Sequence, residues 1–526
     1  MYPLIHIKDV VLAACLALFS HANLLAQINT PPVPKISGAL PSMGDTSELP
    51  AAAERRIGQR IAASIYRDPD YIDDPVLFDY VQSIWQPLMA AARARGEVTP
   101  ELDERFAWEL FLIRDRTINA FALPGGYLGI HMGLISAVSN RDELASVLSH
   151  ELSHVTQRHI SRLISQQGKS TPWMIGAMIL GALAASKNPQ LGSALLTGGQ
   201  AVALQNQLNF SRDMEREADR IGLGVMLDAG FEARGAGSMF EKLQQASRLN
   251  DNGSFPYLRS HPLSMERIAE VQARLQLAAA EAPGAAPAKR DATAQALQLH
   301  TLMGARAKVL ADPGVDVLRV VLQEALRVGD AAGVATNRAG IIYGGALAAA
   351  RLREFTVAKT LADKLIAASS ANPDVQRAAS LLQMEIDLLA GRVPAAAATL
   401  DINQTTHRAD LLLQSRALLA AGRAADVSGK LSTWVARYPR DSGAWQLLAV
   451  AYGNQNQTVR AIRADAESHV AQLDYAAALD RFKAAQNMLR SNPASGDFME
   501  SSIIDTRTRQ VELLVRDQAA QDKLDR

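Results

Sequence analysis

The stretch LSHELSHVTQRH, residues 148 to 159, sets His150 and His154 four residues apart around Glu151. On an α-helix, positions four apart differ by only about 40° of rotation, so both imidazoles leave from one face. Two imidazoles at that spacing can hold one zinc ion from the same side. Glu151 lies at the edge of that face. There it can act as general base on an attacking water and later deliver the proton to a leaving amine. His159 stands about 140° round a continuous helix from His154, so it reads as a surface histidine or one with a secondary role.

A catalytic zinc takes three protein ligands and keeps one position for water. The run Glu215-Arg216-Glu217-Ala218-Asp219 again sets two acids four apart. Glu215 is the expected third ligand, and Asp219 the acceptor for the free ring N–H of a ligand histidine. Glu217 points elsewhere, about 160° away on the same helix. Acidic pairs are common on solvated helix faces, and this one carries weight only behind a His-Glu-x-x-His. The expected content is one zinc per chain. Upstream, Pro124-Gly125-Gly126 is a turn followed by the apolar, β-compatible Tyr127-Leu128-Gly129-Ile130. An edge strand there would hold an extended substrate by backbone pairing, through Gly126, Tyr127, Leu128 and Gly129. The other reading is a hairpin needed only for folding.

With these residues together, the sequence resembles the M48 family of zinc metallopeptidases. The resemblance rests on His150-Glu151-x-x-His154, Glu215-x-x-x-Asp219 and the stretch Asn119 to Gly126, and covers about residues 50 to 277. It implies a mainly α fold of gluzincin type, helical with a small β-sheet, with zinc held by two histidines and one glutamate, and endoproteolysis. The repeat region that follows is similar to that of the family's periplasmic branch in Gram-negative bacteria. That branch implies quality control of outer-membrane proteins, with unfolded or misassembled clients and the assembly machinery as partners. It also gives His261 a meaning. A histidine in such a segment can occupy the open zinc position and hold the enzyme latent, because a fourth protein ligand displaces the catalytic water. From the residues alone, His261-Pro262 marks a helix start equally well. The sequence singles out no oxyanion donor; Arg267 is a candidate outside the catalytic set.

The elements that position these residues sit in a chain of 526 residues, long enough for two or three domains. Lys+Arg and Asp+Glu are both 54, so net charge gives no reason to expect nucleic acid as a partner. Lys8 followed by the apolar run Val10 to Phe19 reads as a secretory signal over residues 1–26, cleaved after Ala26 or, failing that, Ala22. Cys15, the only cysteine, would leave with it; a lipoprotein box at Cys15 is the competing reading. Residues 27–50 read as a tether, 51–277 as the peptidase domain and the breaker-rich 278–294 as a linker. Residues 295–526 form an α-helical solenoid resembling tetratricopeptide repeats, or else an Ala-rich bundle. Repeat positions are Trp445, Leu448, Ala449 and Tyr452, then Tyr475, Ala478, Phe482 and Ala485, with an earlier copy near Phe355, Ala358 and Ala362. The uncharged run Trp173 to Ala185 is too short to span a bilayer. It is a buried helix, or a mobile lid or segment that rests on a membrane or client. Beside the peptidase stands a second expectation, a chaperone or assembly adaptor whose peptidase activity is secondary.

Overall fold

The computed structural model describes residues 49–166, 211–248, 256–281, 287–312, 314–329, 337–369, 371–492 and 498–524. The signal, Cys15, nearly all of the tether and the Trp173–Ala185 run lie outside the described residues.

Helix α1 (Ala51–Arg67) leads into α2 (Pro75–Ala94) and α3 (Pro100–Arg105). Asp74 starts α2: its carboxylate accepts from the Leu77 amide at 2.9 Å, and Pro75 supplies a preset first turn. Three strands follow, β1 (Glu109–Ile113), β2 (Ala120–Leu123) and β3 (Tyr127–His131). Their order is β1-β3-β2, with β1 parallel and β2 antiparallel to β3. The β2–β3 turn needs glycine, since Gly125 and Gly126 have φ of +74° and +84°. Strand β3 is therefore central and buried along its length. This corrects the expectation of an edge strand at Tyr127–Ile130: its backbone groups are already spent on β1 and β2. Among the described residues the outer strands are β1, which meets Tyr71 in a single bridge at Ile113, and β2.

Helix α4 (Met132–Ala137) then leads to α5 (Arg141–Thr156), which carries the His-Glu-x-x-His and packs against β2. Asn140 caps α5 through the amides of Asp142 and Glu143, at 3.0 and 2.9 Å. Every residue from Val147 to Thr156 is buried, because α5 runs through the core rather than over it. The short α6 (His159–Gln166) follows. Next come α7 (Arg212–Asp228), α8 (Ala233–Arg248), α9 (Tyr257–Ser260) and α10 (Met265–Glu281).

The region expected to be a linker is largely helical where it is described. Helix α10 continues to Glu281 and α11 (Pro287–Ala311) begins six residues later. Helix α11 packs on α4 and α2. His300 on α11 ties them together: its Nδ1 lies 2.6 Å from the Tyr80 hydroxyl and its Nε2 2.9 Å from the Val138 carbonyl oxygen. One hydrophobic cluster draws its members from as far apart as Ala51 and Ala417.

The remaining helices are α12 (Val315–Gly329), α13 (Arg338–Arg351), α14 (Phe355–Ala368), α15 (Pro373–Leu389), α16 (Arg408–Ala420), α17 (Ala424–Arg437), α18 (Ser442–Asn454), α19 (Thr458–Ala471), α20 (Tyr475–Ser491) and α21 (Phe498–Leu524). Consecutive members pack against each other. Helices α13, α15, α16, α18 and α19 end alike, on a left-handed residue: Arg353, Gly391, Gly422, Asn456 and Leu473. At each, the amide of the next residue bonds to the carbonyl five residues back, as Glu354 to Ala349 and Asp474 to His469. Trp445, Leu448 and Tyr452 are buried at one interface and Tyr475, Ala478, Phe482 and Ala485 at the next, whereas Ala449 is only half-buried. The expected small-and-large pattern is thus what fills these contacts.

Acidic side chains at the start of α2 join the two regions. Arg408 forks onto Asp73 at 2.8 Å on both oxygens, and Arg306 onto Asp74 at 2.8 and 2.6 Å; Arg377 reaches Asp79 at 3.1 Å.

Candidate metal centre

Helices α5 and α7 lie side by side, with Ser211 capping α7 so that Glu215 falls in its first turn. His150 and His154 project together from α5, their Nε2 atoms 2.9 Å apart. Glu215 meets them: Oε2 is 3.5 Å from His150 Nε2 and Oε1 is 3.4 Å from His154 Nε2. His261, in the turn after α9, brings Nδ1 to 3.4 Å from His150 Nε2 and 2.9 Å from Glu215 Oε1. One ligand atom from each of these four buried residues falls within a 4.8 Å group. A tetrahedral zinc with bonds of 2.0–2.1 Å needs donor-to-donor edges of about 3.3–3.4 Å. The five distances bracket that value, and the donors are three imidazoles and a carboxylate, the set zinc prefers. The residues fit the ion.

The surroundings orient this set. Asp219 Oδ1 lies 3.0 Å from His150 Nδ1, so it can hold the ring with its other nitrogen turned inward. Arg267 secures Asp219 with a two-pronged contact at 2.6 and 2.8 Å. The same guanidinium lies 2.7 Å from Glu215 Oε2 and donates to the Pro262 carbonyl at 2.9 Å. Arg267 is thus committed to carboxylates and the His261 loop, which leaves it unsuited to an oxyanion. The Tyr257 ring stacks on His261, centroids 4.5 Å apart.

Glu151 is fully buried beside the cluster, 3.3 Å from His261 Nε2, and burial pushes its carboxyl up. Burial likewise holds His154 well below the usual histidine range. Burial works against a charged His150 too, but hydrogen bonds to Asp219 and Glu215 win and push it up to about 10. Glu215 is kept well below the carboxylate range despite its burial by the surrounding imidazoles. This carboxylate pull on His150 is the attraction a bound cation would receive.

Two expectations change here. His159 is not on the surface. The chain leaves α5 at Gln157 and turns at Arg158, with φ of +53°, which brings His159 back under the ligand face. There His159 Nδ1 sits 2.8 Å from His154 Nδ1, and its Nε2 sits 3.0 Å from Glu217 Oε2. Glu217, set aside in the sequence, thus takes part. Neither Gly nor Pro marks the break at Arg158, so helical counting could not find it. Tyr127, Leu128 and Gly129 belong to the central strand, and it is β2 that lies along α5.

This geometry defines a zinc metallopeptidase: a His-Glu-x-x-His helix, a glutamate from a second helix and a buried carboxylate next to the donors. Residues 75–275 match the family described as Peptidase family M48. The chain is 30% identical over 452 residues to the beta-barrel assembly-enhancing protease of Escherichia coli, covering 84% of this chain and 86% of that protein. A Vibrio cholerae protein of related description is 35% identical over 237 residues, 45% of this chain and about half of that protein, at 47%. A mitochondrial metalloendopeptidase of Schizosaccharomyces pombe is 34% identical over 165 residues, 31% of this chain and 46% of that protein. The chain belongs to peptidase family M48. Among the described residues no helix is long and apolar enough to cross a membrane.

Proposed function

We propose that this chain is an exported, latent zinc endopeptidase that cuts unfolded or misassembled outer-membrane proteins in the periplasm of a Gram-negative bacterium. The observation that carries the latent reading is the place of His261, whose ring stands between Glu215 and Glu151. The substrate class is supported by the description of the Escherichia coli relative as a beta-barrel assembly-enhancing protease.

In this reading His150, His154 and Glu215 hold the metal. Zinc, when bound, supplies Lewis-acid polarisation of the scissile carbonyl. Glu151 takes the proton of the attacking water and returns it to the leaving nitrogen. An extended substrate adds itself to the open edge of β2, beside α5. His261 fills the space that the reacting carbonyl needs, and Arg267 and Tyr257 keep its loop seated. Cleavage then requires that loop to move. The helical hairpins, read as tetratricopeptide repeats, offer the surface for clients or assembly machinery.

Cleavage of an unfolded protein by the wild type, His261→Ala, and His261→Ala with Glu151→Gln tests this. Strong cleavage by His261→Ala alone is expected. Equal cleavage by the wild type would end the latency reading. No cleavage by any form would favour the assembly-adaptor function, in which binding by the hairpins is primary.

A further inference from the structure

We propose that His159 is a positioning residue of the metal centre: anchored by Glu217 and Arg162, it sets the ring orientation and tautomer of His154. The inference rests on the reading of His154 as a ligand through Nε2.

To ligate through Nε2, a neutral imidazole must present a lone pair there and carry its proton on Nδ1. His154 Nδ1 is 2.8 Å from His159 Nδ1, and two ring nitrogens at that distance share a single proton. His154 therefore donates and His159 accepts. A neutral His159 that accepts at Nδ1 has its own proton on Nε2. That atom faces Glu217 Oε2 at 3.0 Å, a carboxylate that can only accept. The same oxygen is held by Arg162 Nη1 at 2.9 Å. Every link has one allowed direction, from His154 to His159 to Glu217, and the chain ends on a charge pair.

The backbone is built to bring this about. His159 is fully buried although it opens a new helix. The left-handed Arg158 that precedes it is pinned by its guanidinium, 3.0 Å from Glu54 on α1. Each ligand histidine thus has its own outer partner: Asp219 for His150, His159 for His154.

The test measures zinc affinity of the full chain by competition with a chromophoric chelator, and the visible spectrum of the cobalt-loaded protein. Variants are His159→Ala, His159→Asn, Glu217→Ala and His150→Ala. We expect His159→Ala to bind zinc roughly 10–100-fold more weakly, with an altered cobalt spectrum. Asparagine places an acceptor oxygen near the former Nδ1 and should recover part of the loss. Glu217 is partly exposed, so Glu217→Ala should fold and bind zinc more weakly than wild type. If His159→Ala does not fold, His159→Asn and Glu217→Ala decide. Wild-type affinity and an unchanged cobalt spectrum in the folded variants would overturn the relay. Stoichiometric zinc in His150→Ala would instead overturn the ligand assignment beneath it.

Discussion

Replacing Asp74 with alanine should destabilise the protein by about 4 kcal/mol, because this side chain serves two structures at once. Its first role is the cap of α2, through the Leu77 amide at 2.9 Å, a contribution of about 1 kcal/mol. Its second is the fork with Arg306, which is 2% exposed and lies at the junction of the catalytic and helical-hairpin regions. Removing one member of a buried ion pair typically costs about 3–5 kcal/mol, since the other charge stays buried. Here the lower end applies. Arg306 keeps Glu385 at 2.9 Å and the Tyr343 hydroxyl at 3.1 Å. Urea unfolding at neutral pH measures the change, and Asp74→Ala combined with Arg306→Met should recover part of it by removing the stranded charge. The sign with pH is also determined. Burial alone would raise Asp74, but Arg306 outweighs it and holds the carboxyl below its ordinary value. Its stabilisation is complete above the unfolded-state value of about 3.9 and is lost as pH falls through the lower folded value. The gap between wild type and Asp74→Ala should therefore close in acid. A loss below about 1 kcal/mol at neutral pH, within reach of the cap alone, would refute the buried junction.

Asp219→Ala should weaken zinc binding by roughly 10–100-fold while the protein stays folded, and Asp219→Asn, which keeps an acceptor for His150, should do so less. Chelator competition with circular dichroism checks both, and unchanged zinc binding and activity would make Asp219 a bystander. Gly58→Ala places a methyl 1.7 Å from the Pro124 carbonyl oxygen, a clash between two backbones that no rotamer relieves. It should cost about 1–3 kcal/mol in a thermal or urea melt, and an unchanged midpoint would contradict the close approach of α1 to the β2–β3 turn.

The metal-binding chemistry was legible where it depends on local periodicity. His150, Glu151 and His154 share one helix turn, and Glu215 and Asp219 share another. A helix of known pitch states which of these side chains leave together, whatever surrounds it. The hairpin interfaces were legible for the same reason: Tyr475, Ala478, Phe482 and Ala485 follow the helical repeat and are buried as one face. At the expected domain junction, Pro, Gly and Ala in 278–294 signal a break in isolation. Helices α10 and α11 nonetheless extend into that stretch from either side, and α11 packs its far end on α2 and α4. Two of the five repeated hairpin turns were hidden as well. Arg353 and Leu473 adopt the left-handed conformation usually left to glycine, and nothing in their side chains announces it.

What the sequence determined by itself was the set of reactive groups and which of them share a helix face, since both follow from short-range geometry. What only the tertiary structure decided was how separate segments meet. It placed α7 beside α5 so that Glu215 faces the two imidazoles, and set His261 against Glu151. It put β3 in the middle of its sheet, with β1 and β2 outside it. It folded His159 back beneath His154 after a turn that no glycine marks. These arrangements depend on burial and on hydrogen-bond partners from distant parts of the chain, which residue spacing does not contain.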